Sequence, residues 1–208
     1  MTRSGRGAAL ALAAPTLAGC ARAADGRTPG EHRDPDGIVR TAGCATATSP
    51  PAMSIDGTPQ PANQEELVAL AGRLQPYAQA HFASVYTGLE LHSERDRIRV
   101  YRKASTDFDA WVVREFAADC VEVVDARYSG TELKTLADRV SADLPYWQAK
   151  GLPIVSVGVK PDGSGIEVGT GDVERTKREL AQRYGTDAPI TVVHSEPAVF
   201  GTEPRQPG

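Results

Sequence analysis

Three cysteines and four histidines carry most of the reactive chemistry open to this chain, so their spacing decides which reactions are within reach. His32, His81, His92 and His194 are far apart, and none sits in a His-Glu-x-x-His motif. No Gly-x-Ser-x-Gly turn offers a nucleophile, and no Cys-x-x-Cys pair offers a redox or zinc site. His32 with Asp34 and Asp36 matches no standard ligand spacing, and Pro35-Asp36-Gly37 reads as a turn. Gly169-Thr170-Gly171-Asp172 falls between a strand pattern and a helix pattern, where backbone amides can hold an anion. It lacks the further glycine of a dinucleotide loop and the lysine of a phosphate loop, and Asp172 is placed to cap the helix and repel phosphate. The expectation is no catalytic set, no metal and no cofactor. An enzyme would have to assemble its site from scattered groups such as His92, Asp107 and Asp109.

The densest charge pattern is Glu94-Arg95-Asp96-Arg97-Ile98-Arg99-Val100-Tyr101-Arg102-Lys103. Strand alternation puts Arg97, Arg99 and Tyr101 on one face with Arg95 in line, and Ile98 and Val100 on the other. Two readings are open. One is an anion-binding face for a lipid head group or an envelope polymer. The other is a solvated sheet face whose charges guard against edge pairing.

The chain opens with a short basic stretch, Met1 to Arg6, and an apolar run, Ala8 to Ala18. That run is too short for a membrane span of about 20 residues and has the order of an export signal. It ends in Leu17-Ala18-Gly19-Cys20, which resembles the bacterial lipobox. The resemblance implies that residues 1–19 are a lipoprotein signal peptide, that the Cys20 thiol carries a diacylglyceryl group, and that the protein is held at the extracytoplasmic face of the cell membrane. Each acyl methylene buried in a bilayer contributes about 0.8 kcal/mol, and stable anchoring takes two chains. Cys44 and Cys120 then face an oxidising exterior that permits a disulfide. Cys44 lies in a stretch poor in large apolar groups and Cys120 in an apolar context that suits a buried free thiol, so both outcomes are open.

Positioning these groups falls to the elements around them. From Ala21 to Pro61 there is no Phe, Trp or Tyr, while Pro29, Pro35, Pro50, Pro51, Pro59 and Pro61 interrupt the chain. Such a stretch buries too little surface to offset the entropy of ordering, and residues 20–61 are expected to be a disordered tether. Apolar periodicity begins beyond it. Leu67, Leu70, Leu74, Tyr77 and Ala78 share one helical face. Val85 to His92 alternates as a strand, Ile98 and Val100 mark a second, Thr106 to Ala118 reads as a helix and Val121 to Val124 as a strand.

The order αββαβ then recurs: a helix through Leu133, Leu136 and Val140, a strand through Val155, Val157 and Val159, a tight turn at Pro161 to Gly165, a strand at Ile166 and Val168, a helix from Val173 to Tyr184 and a strand through Ile190, Val192 and Val193. Leu89, Leu91, Ile98 and Val100 match Val157, Val159, Ile166 and Val168 at one constant offset. Pro76-Tyr77-Ala78-Gln79-Ala80 likewise matches Pro145-Tyr146-Trp147-Gln148-Ala149, with Tyr146 expected in the core and Trp147 left open. One such unit is near the lower size limit for an independent core. The expected fold is α+β, an internally duplicated αββαβ unit forming one bilobal domain, with repeats at 62–128 and 129–198 and a disordered tail at 199–208.

The doubled αββαβ order behind a lipobox and linker is similar to tandem BON domains, and the resemblance implies an envelope module binding phospholipid. It is topological, covers 62–198, and departs at Tyr184-Gly185-Thr186-Asp187-Ala188-Pro189, where those domains usually carry a Gly-Val signature. The stretch 154–193 also resembles pro-domains of secreted bacterial serine proteases, and the whole chain resembles secreted lipoproteins of high-GC bacteria. With 27 acidic against 23 basic residues, the chain is a poor candidate for general nucleic-acid binding, and no nucleic-acid partner is expected. The expectation is a non-catalytic, lipid-anchored binding protein of the envelope, whose partner is an envelope protein or an anionic lipid. A chaperone-like or inhibitory module for a secreted protease, and an enzyme with a dispersed site, are the alternatives.

Overall fold

The computed structural model describes residue 34 and residues 36–196. The expected signal, Cys20, His32 and the tail from 199 lie outside the described residues. The chain is a mixed α+β protein, built on two core clusters that share one junction.

The first half begins with β1 (Val39–Arg40), a 3₁₀ turn at Ala42–Ala45, and a hairpin of β2 (Ala52–Ile55) and β3 (Thr58–Pro61). Then come α1 (Gln64–His81), β4 (Tyr86–His92), a 3₁₀ turn at Ser93–Arg95, β5 (Arg97–Arg102), α2 (Thr106–Glu115) and β6 (Val121–Asp125). Glu65 and Glu66 complement the positive end of α1. The helix buries Leu67, Leu70, Leu74 and Ala78 at the spacing of one face. In α2, Ser105 caps the start by accepting a hydrogen bond from the Phe108 N–H at 3.3 Å, and Phe108, Trp111 and Val112 turn inward. Both helices cover one face of a sheet ordered β1-β6-β5-β4. There β4 runs antiparallel to β5, β5 parallel to β6, and β1 antiparallel to β6.

The second half holds α3 (Gly130–Ala142), α4 (Leu144–Ala149), β7 (Ile154–Val159), β8 (Ile166–Thr170), α5 (Val173–Tyr184) and β9 (Ile190–His194). A capping box between Ser129 and Glu132 starts α3. The single expected helix is broken at Asp143, and Pro145 falls in the first turn of α4, where its missing N–H is harmless. The sheet is ordered β7-β8-β9, with β7 antiparallel to β8 and β8 parallel to β9. Residues matched in the sequence pair alike. Leu89 faces Val100 and Leu91 faces Ile98, as Val157 faces Val168 and Val159 faces Ile166, and each sheet shifts register just after its first residue pair.

Two expectations are corrected. The tether does not extend to residue 61. Val39 is buried against the first core, and the Thr41 hydroxyl donates to the Asp119 carbonyl at 2.6 Å while accepting the Val121 N–H at 2.9 Å. Cys44 and Cys120 form a disulfide with Cα atoms 4.2 Å apart. One buried valine, one doubly bonded threonine and one cross-link hold a segment that has no apolar content to build a core of its own. The β2–β3 hairpin follows, turning at Asp56 and Gly57, both in the left-handed region that such a turn requires. The second correction concerns the aromatic pair: Trp147 is wholly buried and Tyr146 is 37% exposed. The inward position is the one held by Ala78 in the first half, so a large and a small side chain fill matched places in the two cores.

The halves meet where β4, the β6–α3 connection and the β7–β8 turn converge. Thr87 donates to the Tyr128 carbonyl at 2.6 Å and Thr131 to the Ala83 carbonyl at 3.0 Å. Gly163 sits at φ 72°, where a Cβ would lie 2.6 Å from that of Ala126, and a Cβ on Gly88 would lie 2.8 Å from the Pro161 carbonyl oxygen. Only glycine permits that approach.

Candidate functional site

The open face of the first sheet gathers the chain's densest charge. One row of partners crosses all four strands: Arg40 opposite Glu122, Glu122 opposite Arg99, and Arg99 opposite Glu90. The signs alternate along the row, the arrangement in which cross-strand pairs attract. Glu122 is the centre, 1% exposed. Its carboxylate accepts from Arg97 Nη1 at 2.6 Å, Arg99 Nη2 at 2.9 Å and Arg40 Nε at 3.3 Å. Burial pushes the Glu122 carboxyl up, but the guanidiniums of Arg99, Arg97 and Arg40 outweigh it and hold the group below the usual carboxylate range. Arg40 is shared further, with Asp36 at 2.7 Å and with Asp34. Tyr101 donates to Glu90 at 2.7 Å, and burial with that acidic partner pushes its hydroxyl up to about 12.

Of the candidate anion face, the structure keeps Arg97 and Arg99 together on β5 and sets Arg95 apart from them. Arg95 belongs to the 3₁₀ turn before β5, and its carbonyl accepts from Arg97 Nε at 3.2 Å. Arg97 and Arg99 lie in the strand, but both guanidiniums are spent on Glu122. An incoming phosphate would compete with a buried carboxylate already in place, so the network joins β1, β5 and β6 to one another across the face.

His92, Asp107 and Asp109 do not converge. His92 ends β4, opposite Arg97, with Glu90 and Glu94 on either side at 3.6 and 3.5 Å. Asp109 is buried and binds Arg102 at 2.7 Å, at the far end of β5. Five strand residues, about 17 Å, separate those ends. Asp107 lies in the first turn of α2 and is exposed. His81 packs on Tyr77 with ring centroids 4.1 Å apart, and His194 lies 3.8 Å from Glu196. Asp172 caps α5 by accepting the Arg175 N–H at 3.2 Å, as its place before the helix implied. Among the described residues no three histidine, cysteine or carboxylate side chains form a metal-binding group, and no helix is long and apolar enough to cross a membrane.

A cleft of about 330 Å³ lies at the junction of the halves, lined by Gln79, Ala83, Tyr86, Thr87, Thr131 and Val159 among others. Of its polar groups, the Thr87 and Thr131 hydroxyls donate to backbone carbonyls and Lys134 is held by Asp138 at 2.7 Å, while the buried Tyr86 hydroxyl has no hydrogen-bond partner among the described residues. The features that sequence reasoning missed are Arg40 and Glu122. Glu122 was a visible signal, a carboxylate between Val121 and Val123 in an otherwise apolar strand, where alternation would have aimed it at the open face. No family model matches the chain, and no curated protein matches it.

Proposed function

We propose that the protein is a non-catalytic, lipid-anchored binding protein of the cell envelope, held at the extracytoplasmic face of the membrane through Cys20. The observation that carries this reading is Leu17-Ala18-Gly19-Cys20, placed directly behind a basic start and a short apolar run. The Cys44–Cys120 disulfide supports it, because such bridges persist in oxidising compartments. The separation of His92 from Asp109 supports a binding role over a catalytic one. The engagement of Arg97 and Arg99 by Glu122 favours an envelope protein over an anionic lipid as partner.

The early start of the folded part sharpens the geometry. Between Cys20 and Val39 lie fewer than 20 residues, which even fully extended span no more than about 65 Å. A binding surface on this protein therefore meets partners close to the membrane. Replacing Cys20 with Ala is expected to abolish acyl labelling and to move the protein from the membrane fraction to the soluble one, with the Cys44–Cys120 bridge intact. Unchanged membrane retention of the variant refutes the anchor.

A further inference from the structure

The two sheets differ at one edge. In the first, β1 lies antiparallel beside β6, with Val39 opposite Val123. The counterpart of β6 is β9, since each runs parallel to the middle strand of its sheet. Among the described residues no strand pairs with the outer side of β9.

The other edges are protected. β1 has only two residues and ends in the charged network. β4 and β7 each carry a register shift, and Pro161 packs against β4 at Gly88. In the hairpin, Pro59 and Pro61 stand opposite Ser54 and Ala52. The Ala62 N–H donates to the Pro51 carbonyl at 3.2 Å, which sets the bonded pairs at the alternate positions, so both prolines turn their ring nitrogens to the outside. β9 reads Ile190-Thr191-Val192-Val193-His194, with no register shift, proline, lysine or arginine. That is the composition of an edge that recruits another strand.

Backbone parity fixes which groups are free. The Ile166 N–H donates to the Pro189 carbonyl at 2.8 Å and the Ser195 N–H to the Thr170 carbonyl at 3.0 Å. Residues 189, 191, 193 and 195 therefore face β8, and Ile190, Val192 and His194 turn their backbone groups outward. The Ile190 N–H is already bonded to the Ala188 carbonyl at 2.7 Å. Two copies of β9 laid antiparallel about Val192 are self-complementary on this pattern. Val192 exchanges both bonds with its counterpart, and each His194 N–H meets the Ile190 carbonyl of the other copy. No like charges stand opposite each other, because His194 is the strand's single ionisable residue and it faces Ile190. On the helix side, Val192 borders an apolar cleft of about 100 Å³ between α5 and β9, lined by Leu180, Ala181, Ala188 and Ile190 among others. That cleft gives the opposing valine side chain a place to pack.

We propose that β9 is a self-association edge, joining the second sheets of two copies into one continuous antiparallel-centred sheet. The register makes the test specific. On a Cys20→Ala background, full-length chains carrying Thr191→Cys or Val193→Cys are purified in detergent and oxidised mildly, singly and mixed. The proposed pairing sets position 191 opposite 193 on the open face, so the mixture is expected to give a covalent dimer and each variant alone to stay monomeric. Light scattering of the full-length Cys20→Ala chain is expected to show mass rising towards a dimer with concentration. His194→Pro removes only an outward N–H and leaves the ladder to β8 whole. It is expected to keep its circular dichroism and to weaken association roughly tenfold or more. A monomeric mass at every concentration overturns the proposal, as does cross-linking that is equal in the mixture and in either variant alone. So does a chain ending at Glu196 that dimerises where the full chain does not, because residues 197–208 would then be the occupant of the edge.

Discussion

The last residue of β5 and the last residue of β8 occupy matched places and are held by opposite chemistry. Arg102 and Thr170 are both wholly buried, and both stand opposite the first residue of the preceding strand, Tyr86 and Ile154, just before the register shifts. Each bonds to the fourth residue of the helix that follows. Arg102 makes a bidentate pair with Asp109, at 2.7 Å through each nitrogen, and reaches on to Asp125. Thr170 shares a hydroxyl contact of 3.2 Å with Thr176 and donates to the Pro153 carbonyl at 3.1 Å. Burial pulls the Arg102 guanidinium down, yet Asp109 and Asp125 more than offset it and its pKa is raised. The place demands a satisfied polar contact and is indifferent to charge. An ion pair there is unforgiving, because removing one partner strands the other away from water.

That comparison is broken first at Arg102. Arg102→Ala leaves Asp109 buried and unpaired and is expected to cost about 3–5 kcal/mol, read from urea unfolding. The double change Arg102→Thr with Asp109→Thr, which imports the second half's solution, is expected to recover more than half of that loss. A single variant as stable as the parent would show that the pair is not needed, and a double variant no better than the single would show that the two places are not equivalent.

The next difference is covalent: the first half has a cross-link over a sequence separation of 76, and the second has none. Cys120→Ala with Cys44→Ala, or reduction, is expected to cost about 2–5 kcal/mol. Each core holds one of the chain's two tryptophans, Trp111 in the first and Trp147 in the second. Single-tryptophan variants can therefore report the halves separately. The Trp111 transition is expected to move to lower urea while the Trp147 transition moves less. Equal shifts would mean that the halves unfold as one.

The smallest effect is acid sensitivity. Hydrogen bonds from Arg183 and Tyr184, at 2.6 Å each, lower the Asp143 carboxyl to about 2. A carboxylate held low in the folded state stabilises it above the ordinary carboxylate range, and that contribution is lost as pH falls through the folded value. Melting of the second half is therefore expected to weaken between about pH 4 and pH 2, and Asp143→Asn to flatten that limb. An unchanged acid limb in the variant would remove Asp143 from the account.

Alternation made the strands and their registers legible, because Leu89, Leu91, Ile98 and Val100, like Val157, Ile166 and Val168, pack on the cores while the residues between them turn to the other face. Helical spacing likewise marked α1, α2 and α5. What composition hid was residues 36–61. Their order comes from Val39, Thr41 and Cys44 acting on partners about 80 positions away, and a local count of large apolar groups cannot register such distant bonds. The break at Asp143 was hidden for a similar reason. Pro76 is tolerated inside α1, so the matching Pro145 did not by itself announce a new helix. The charged face was half legible: alternation placed Arg97 and Arg99 correctly, but their pairing depends on Glu122, a strand partner brought alongside only by the parallel crossover.

The Cys44–Cys120 bond also sets how the molecule answers to tension. Force applied to the chain upstream of Val39 first meets a two-residue strand, which peels easily. It then passes through sulfur directly to the start of β6, bypassing the hairpin, α1, β4, β5 and α2. At about 3.3–3.6 Å per residue, roughly 250–270 Å of contour length is withheld from extension. A pull along the chain from its N-terminal side therefore cannot reel out the first half end to end, and only a reductant turns that stored length into slack.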